Sequence, residues 1–268
     1  MALPKNLDRI KTLADIVAKL RAPGGCPWDR EQTHASLREH LLEECYEVLQ
    51  TIDQEDWKSL GVELGDLLLQ IVLHAQIAKE AGEFELADVL TGINEKLIHR
   101  HPHVFGSVKA ETVEEVLHNW EALKQSERGN APALDGVSRQ MPALAYSQAV
   151  QHRVAQLGFD WKDIDGVIEK LVEEVGELKQ AENQKRKAEE FGDLFFTLVN
   201  IARRMGIDSE AALREANERF YRRFSYMEDL CRKRGTMFAR LSFDEQNVLW
   251  EEAKRKVKGH KKDDGDER

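Results

Sequence analysis

Residues 187–202 combine two properties that restrict what this chain can fold into. Projected at about 100° per residue, Glu190, Asp193, Thr197 and Asn200 fall on one narrow stripe. Phe191, Leu194, Phe195, Phe196, Leu198, Val199 and Ile201 take most of the remaining circumference. A helix that is apolar nearly all round is expected to be buried, and carboxylates on it need partners because buried acids are seldom left alone. The arrangement occurs earlier as well. Glu63, Asp66, Gln70 and His74 form the stripe of a second helix, with Leu60, Leu64, Leu67, Leu68, Ile71, Val72 and Leu73 around it.

Helical spacing extends over most of the chain. Apolar periodicity and breakers predict helices over residues 5–21, 36–52, 60–78, 87–100 and 112–128. Pro23, Gly24, Gly25 and Pro27 place a loop at 24–32,. After a linker at 129–136, helices are predicted over 143–156, 165–182, 187–202, 209–234 and 244–258, with Lys185, Arg186 and Lys187 in a basic connector. No stretch alternates with period two, so the fold class is all-α, with units at 1–128 and 137–258. The charged, apolar-free tail 259–268 is expected to be disordered,.

The two halves repeat chemistry as well as pattern. Glu43-Glu44-x-x-Glu47 matches Glu173-Glu174-x-x-Glu177, and Glu63-x-x-Asp66 matches Glu190-x-x-Asp193. Asn94-Glu95-Lys96-x-x-x-Arg100 matches Asn217-Glu218-Arg219-x-x-x-Arg223. Trp120-x-x-x-Lys124 matches Trp250-x-x-x-Lys254. Core periodicity alone would preserve apolar positions, not acids, bases and a Trp-Lys pair in the same order. Taken singly, each motif has a plainer reading: an isolated EExxE is usually a solvated face, Arg219 and Arg223 suit Glu215 or Glu218, and tryptophans are more often core anchors.

Composition narrows the function. A net charge of −10 argues against nucleic acid as a partner,. Three cysteines without a CxxC support neither a disulfide framework nor a zinc site,, and suit reduced thiols in a cytoplasmic protein. The N-terminus lacks a signal-peptide pattern and no uncharged run reaches the ~18–20 residues of a membrane span, so no membrane partner is expected.

If the two acidic helices of a unit pack antiparallel, four carboxylates converge. Two unpaired charges 4 Å apart repel by about 4 kcal/mol at an effective dielectric near 20, so such a group calls for a cation. Hard oxygen ligands suit Mg²⁺ or Mn²⁺ completed by substrate phosphates. The bases Arg219, Arg223 and Lys254 suit phosphate oxygens, and Trp250 offers a flat surface for a base. Together they describe nucleotide phosphate hydrolysis.

With these motifs, the chain resembles the MazG family of nucleoside triphosphate pyrophosphohydrolases in its tandem form. The likeness runs from Gly25-Cys26-Pro27-Trp28-Asp29 through His99-Arg100-His101-Pro102-His103-Val104-Phe105 and Gly158-Phe159-Asp160-Trp161 to Trp250. It implies four-helix-bundle-like units, a homodimer, and Mg²⁺-dependent hydrolysis of nucleoside triphosphates to monophosphate and pyrophosphate. Carried over, Glu174, Glu177, Glu190 and Asp193 become metal ligands, with Glu173 or Glu174 a candidate base. Lys170, Arg186, Lys187, Glu189, Arg219, Arg222, Arg223, Trp250 and Lys254 fall around the nucleotide. Glu44, Glu47, Glu63 and Asp66 form a second metal set, with Lys96, Arg100, Trp120 and Lys124 as its nucleotide residues.

The second unit is expected to dominate. Lys170, Arg186 and Lys187 stand one turn before its acids, where the first unit has His40, Ser59 and Leu60. A helical regulator that holds the nucleotide without hydrolysing it shares every motif and is the competing expectation.

Overall fold

The computed structural model describes residues 5–129 and 131–257, and the chain divides into two compact units, Met1–Gly129 and Asn130–Arg268. The described residues form twelve α-helices and one 3₁₀ turn, with no strand among them. The tail expected to be disordered at 259–268 lies outside the described residues.

In the first unit, α1 (Ile10–Arg21) is followed by α2 (Pro27–Glu31), a short helix that the glycine- and proline-rich spacing had read as loop. Pro27 opens it at a position where the missing N–H is not needed,. α3 (Leu37–Asp53) and α4 (Trp57–Ala81) form a hairpin over a three-residue connection. Asp56 caps α4 by accepting from the Ser59 amide at 3.1 Å, and Gly82 ends it at φ 73°, where only glycine is comfortable,. α5 (Leu86–Arg100), α6 (Pro102–Phe105) and α7 (Val113–Arg128) complete the unit. Pro102 ends α5 and starts α6,.

Val17, Leu37, Val72 and Leu73 form the core, with Leu13, Leu69, Ile77 and Leu86 packed against it. Arg21 ties α1, α2 and α4 together. Its Nε and Nη2 donate to Glu80 at 2.8–3.1 Å, and Nη1 donates to the Asp29 and Gln32 carbonyls. By length and composition α4 is apolar enough to cross a membrane, which the sequence reading did not anticipate. Its Val72, Leu73, Ala75 and Ala78 are buried within the unit.

The second unit contains α8 (Ala143–Ala155), α9 (Ile164–Gln180), α10 (Gln184–Arg204), α11 (Ser209–Lys233), a 3₁₀ turn (Phe238–Arg240) and α12 (Phe243–Lys256). Asn183 caps α10 by accepting from the Arg186 amide at 3.0 Å,. Lys185, Arg186 and Lys187 therefore sit in the first turn of α10 instead of a connector. α8 is pinned to α10 by Gln151, whose Nε2 donates to the Phe196 carbonyl at 2.7 Å. Met227, Cys231, Leu249 and Ala253 form the core between α11 and α12.

One expectation is reversed. α4 and α10 are not buried all round. Glu190, Thr197, Val199 and Asn200 are buried on α10, whereas Phe191, Phe195, Phe196 and Leu198 are exposed. On α4, Gln70, Val72 and Leu73 are buried while Val62, Leu64 and Ile71 are exposed. Glu190, Thr197 and Asn200 of the α10 stripe and Gln70 of the α4 stripe face inward, where each hairpin packs on its partner helix, while Asp193 stays exposed and the apolar flanks are left uncovered.

Candidate metal and nucleotide site

Packing of α9 on α10 brings Glu174, Glu177 and Glu190 together, with one carboxylate oxygen of each within 4.8 Å of the others. Glu174 is 4% and Glu190 3% exposed. Burial pushes the Glu190 carboxyl above its ordinary value. A hydrogen bond with Glu177 and the charges of Glu177 and Glu174 push the same way, against Arg186. Two cations brace the group from one turn before the acids. Lys170 Nζ lies 2.9 Å from Glu173 Oε1 and 2.8 Å from Glu174 Oε1, which holds the amine protonated well above the usual lysine range. Arg186 lies 2.5 Å from Glu190 and 3.6 Å from Glu189.

The residues fit a divalent cation. Glu174 Oε2 is buried without a hydrogen-bond partner, and an unpaired buried carboxylate oxygen costs free energy unless something positive meets it. Three carboxylates form an all-oxygen donor set of the kind that hard cations take. Asp193 is not in the convergent group; it lies one turn past Glu190 on α10 and is exposed.

The first unit repeats the arrangement with a different membership. Glu44, Glu63 and Asp66 converge within 4.8 Å, and Glu47 hydrogen-bonds with Glu44 and Glu63. Burial raises the Glu44 and Glu63 carboxyls, and the neighbouring acids add to it. No lysine or arginine ion pair reaches this group among the described residues. His40 approaches Glu43 at 3.6 Å, while Ser59 is spent on the α4 cap.

The other expected nucleotide residues form separate frames. Arg223 stands over the Trp250 ring at 5.6 Å, and Phe220 packs on the same ring at 5.4 Å. Arg219 pairs with Glu215 at 3.3 Å, Arg222 with Glu218 at 3.1 Å, and Lys254 with Glu251. In the first unit Arg100 stands over Trp120 at 5.7 Å. No hydrogen bond or ion pair connects these residues to the acid groups among the described residues. Their lengths and flexible ends allow the plainer pairings with acids on the same helix, which sequence spacing also permitted.

Sequence reasoning did not find a brace behind the second hairpin. Asp160 takes Arg203 at 2.7 Å and Arg204 at 3.0 Å, and Arg203 also donates to Asn200 at 2.8 Å. Burial opposes ionisation of Asp160, but the Arg203 hydrogen bond and the two arginine charges outweigh it and lower the carboxyl. The available signal was the Gly158-Phe159-Asp160-Trp161 motif, whose acid had no assigned partner.

Two helical hairpins that each gather carboxylates around an inward stripe define an all-α pyrophosphohydrolase built from two tandem domains. The chain belongs to the MazG family of nucleoside triphosphate pyrophosphohydrolases. Residues 32–105 match the MazG nucleotide pyrophosphohydrolase domain, and residues 147–220 match phosphoribosyl-ATP pyrophosphohydrolase. A Thermotoga maritima protein, a nucleoside triphosphate pyrophosphohydrolase/pyrophosphatase MazG, is 45% identical over 90% of this chain and 94% of its own length. A nucleoside triphosphate pyrophosphohydrolase of Escherichia coli strain K12 is 43% identical over 93% of this chain and 98% of its own. Another from Mycobacterium tuberculosis is 42% identical over 56% of this chain and 47% of its own.

Proposed function

We propose that the second unit hydrolyses nucleoside triphosphates, deoxy or ribo, to the monophosphate and pyrophosphate with Mg²⁺, Mn²⁺ being an alternative. One observation carries this reading: Glu174, Glu177 and Glu190 converge, one of them with a buried and unpartnered oxygen, between Lys170 and Arg186. Bound Mg²⁺ supplies charge neutralisation on the phosphoryl oxygens. Glu174, Glu177 and Glu190 would hold it, with Asp193 the further candidate once its side chain turns inward.

Lys170, Arg186, Lys187 and Glu189 orient the triphosphate at the mouth of the group, and Arg219, Arg222, Arg223 and Lys254 bind phosphate oxygens. The base stacks on Trp250. Water attacks the α-phosphorus, its proton passes to Glu173 or Glu174, and the bond to the bridging oxygen breaks to release pyrophosphate. Lys96, Arg100, Trp120 and Lys124 are the corresponding residues of the first unit, beside Glu44, Glu47, Glu63 and Asp66. The working form is a homodimer, and stretch 129–136 links units 1–128 and 137–258. Free cysteines at Cys26, Cys45 and Cys231 suit a cytoplasmic setting,, where the reaction would cleanse or regulate the nucleotide pool.

Pyrophosphate release from mixed nucleotides, with Mg²⁺ and with EDTA, tests the reading. Glu190→Gln is expected to lose most of the pyrophosphate release and Glu63→Gln far less. A larger loss from Glu63→Gln would overturn the assignment to the second unit, and no release with Mg²⁺ would favour a nucleotide-holding regulator.

A further inference from the structure

The two units share a second frame besides the acid groups, and its charge balance differs between them. Arg100 over Trp120 and Arg223 over Trp250 occupy matching places in the repeat, at 5.7 and 5.6 Å. In the first unit Glu127 on α7, seven residues after Trp120, meets Arg100 with both carboxylate oxygens. Nε donates to Oε1 at 3.2 Å, and Nη2 donates to Oε2 in a shorter contact. His99 Nε2 lies 3.8 Å from the same carboxylate. The Arg100 hydrogen bonds hold Glu127 below the usual carboxyl range against burial, and the charges of Arg100, His99 and Lys96 add to them. Glu127 thus draws on the charges of Arg100, His99 and Lys96 together.

Among the described residues of the second unit, no acid meets Arg223 in this way. The residue seven places after Trp250 is Val257. Arg223 makes no ion pair among the described residues, and its Nε is buried without a hydrogen-bond partner. Arg219 and Arg222 pair with acids of their own helix, Glu215 and Glu218.

A carboxylate that meets a guanidinium with two oxygens presents the geometry of a phosphate. We infer that Glu127 is a built-in occupant of the first unit's anion seat, closing Arg100 to phosphate-bearing nucleotides, whereas the matching seat at Arg223 stands open. The inference rests on the reading of Arg223 and Trp250 as nucleotide-binding residues. A triphosphate entering the first unit must break the Arg100 pair and meet the repulsion of the displaced carboxylate. The open guanidinium of Arg223 imposes neither cost.

Equilibrium dialysis of the full chain against an α,β-methylene nucleoside triphosphate with Mg²⁺ tests this. The wild-type chain is expected to bind a single equivalent. Glu127→Val, which installs the residue found in the second unit, and the conservative Glu127→Gln are expected to double that count. Adding Arg100→Ala to Glu127→Val is expected to remove the gain. A single equivalent in both Glu127 variants, with unchanged helical circular dichroism, overturns the inference, and so does a doubled count in the wild type. Failure of the underlying reading looks different: the wild type binds nothing, or its binding is unaffected by Arg223→Ala.

Discussion

The Arg186 guanidinium lies 2.5 Å from the buried carboxylate of Glu190, one turn further along α10. Lys170 has the same relation to Glu174 on α9. The two buried acids of the second unit's group, Glu174 and Glu190, are therefore each partly neutralised from their own helix. The first unit has His40 and Ser59 in those places, and its acids repel one another with no lysine or arginine ion pair among the described residues.

Removing the Arg186 brace weakens the metal-free second unit. Arg186 is largely exposed, so its pair contributes on the order of 1 kcal/mol at most. Arg186→Gln is expected to lower the melting temperature in EDTA by about 2–4 °C. Saturating Mg²⁺ at about a hundred times its Kd adds ~2.7 kcal/mol to whichever chain binds it, so the variant recovers with metal. Differential scanning fluorimetry with and without Mg²⁺ reads both effects. An unchanged melt in EDTA would show that the pair does not support the fold.

The first unit's acids make stability depend on pH with a definite sign. Burial, then the charges of Glu47 and Asp66, hold the folded Glu63 carboxyl above 4.5. The folded chain keeps a proton there that the unfolded chain has released, so stability falls as pH rises from about 4.5 through the raised folded value. The unfolding free energy of wild type minus that of Glu63→Gln is expected to decline over that window in EDTA. Urea unfolding of both chains from about pH 4 to 8 measures it; a flat difference would contradict the raised value.

The apolar flanks left open by the hairpins predict self-association. Val172 on α9 is 68% exposed and Phe191 on α10 is 49% exposed. Burying such residues contributes about 1.5–3 kcal/mol each. Val172→Glu is expected to convert a dimer to monomer in light scattering behind size exclusion. A wild-type chain that is monomeric at all concentrations would dismiss the homodimer.

Most helices were readable because periodicity and caps are local. Asp56, Asp163, Asn183, Asp208 and Ser242 each cap from within three residues. The short α2 and the start of α10 were misplaced because Pro27 and the basic run Lys185–Lys187 read as breaker and connector by composition. The acid groups were legible through the repeat, but their membership was not. Asp66 joins its group and Asp193 does not, although both stand three residues after a glutamate.

The residue pattern by itself determined that this chain is all-α, that it is a tandem repeat, and which acids share a helix face, since all three follow from spacing along one helix. Tertiary structure decided which side of that face is buried. It also chose the partners: Glu127 for Arg100, 27 residues away, and Asp160 for Arg203, 43 away. Those choices depend on how helices settle against one another. Helical periodicity fixes angles around an axis but carries no information about which neighbour that axis will meet.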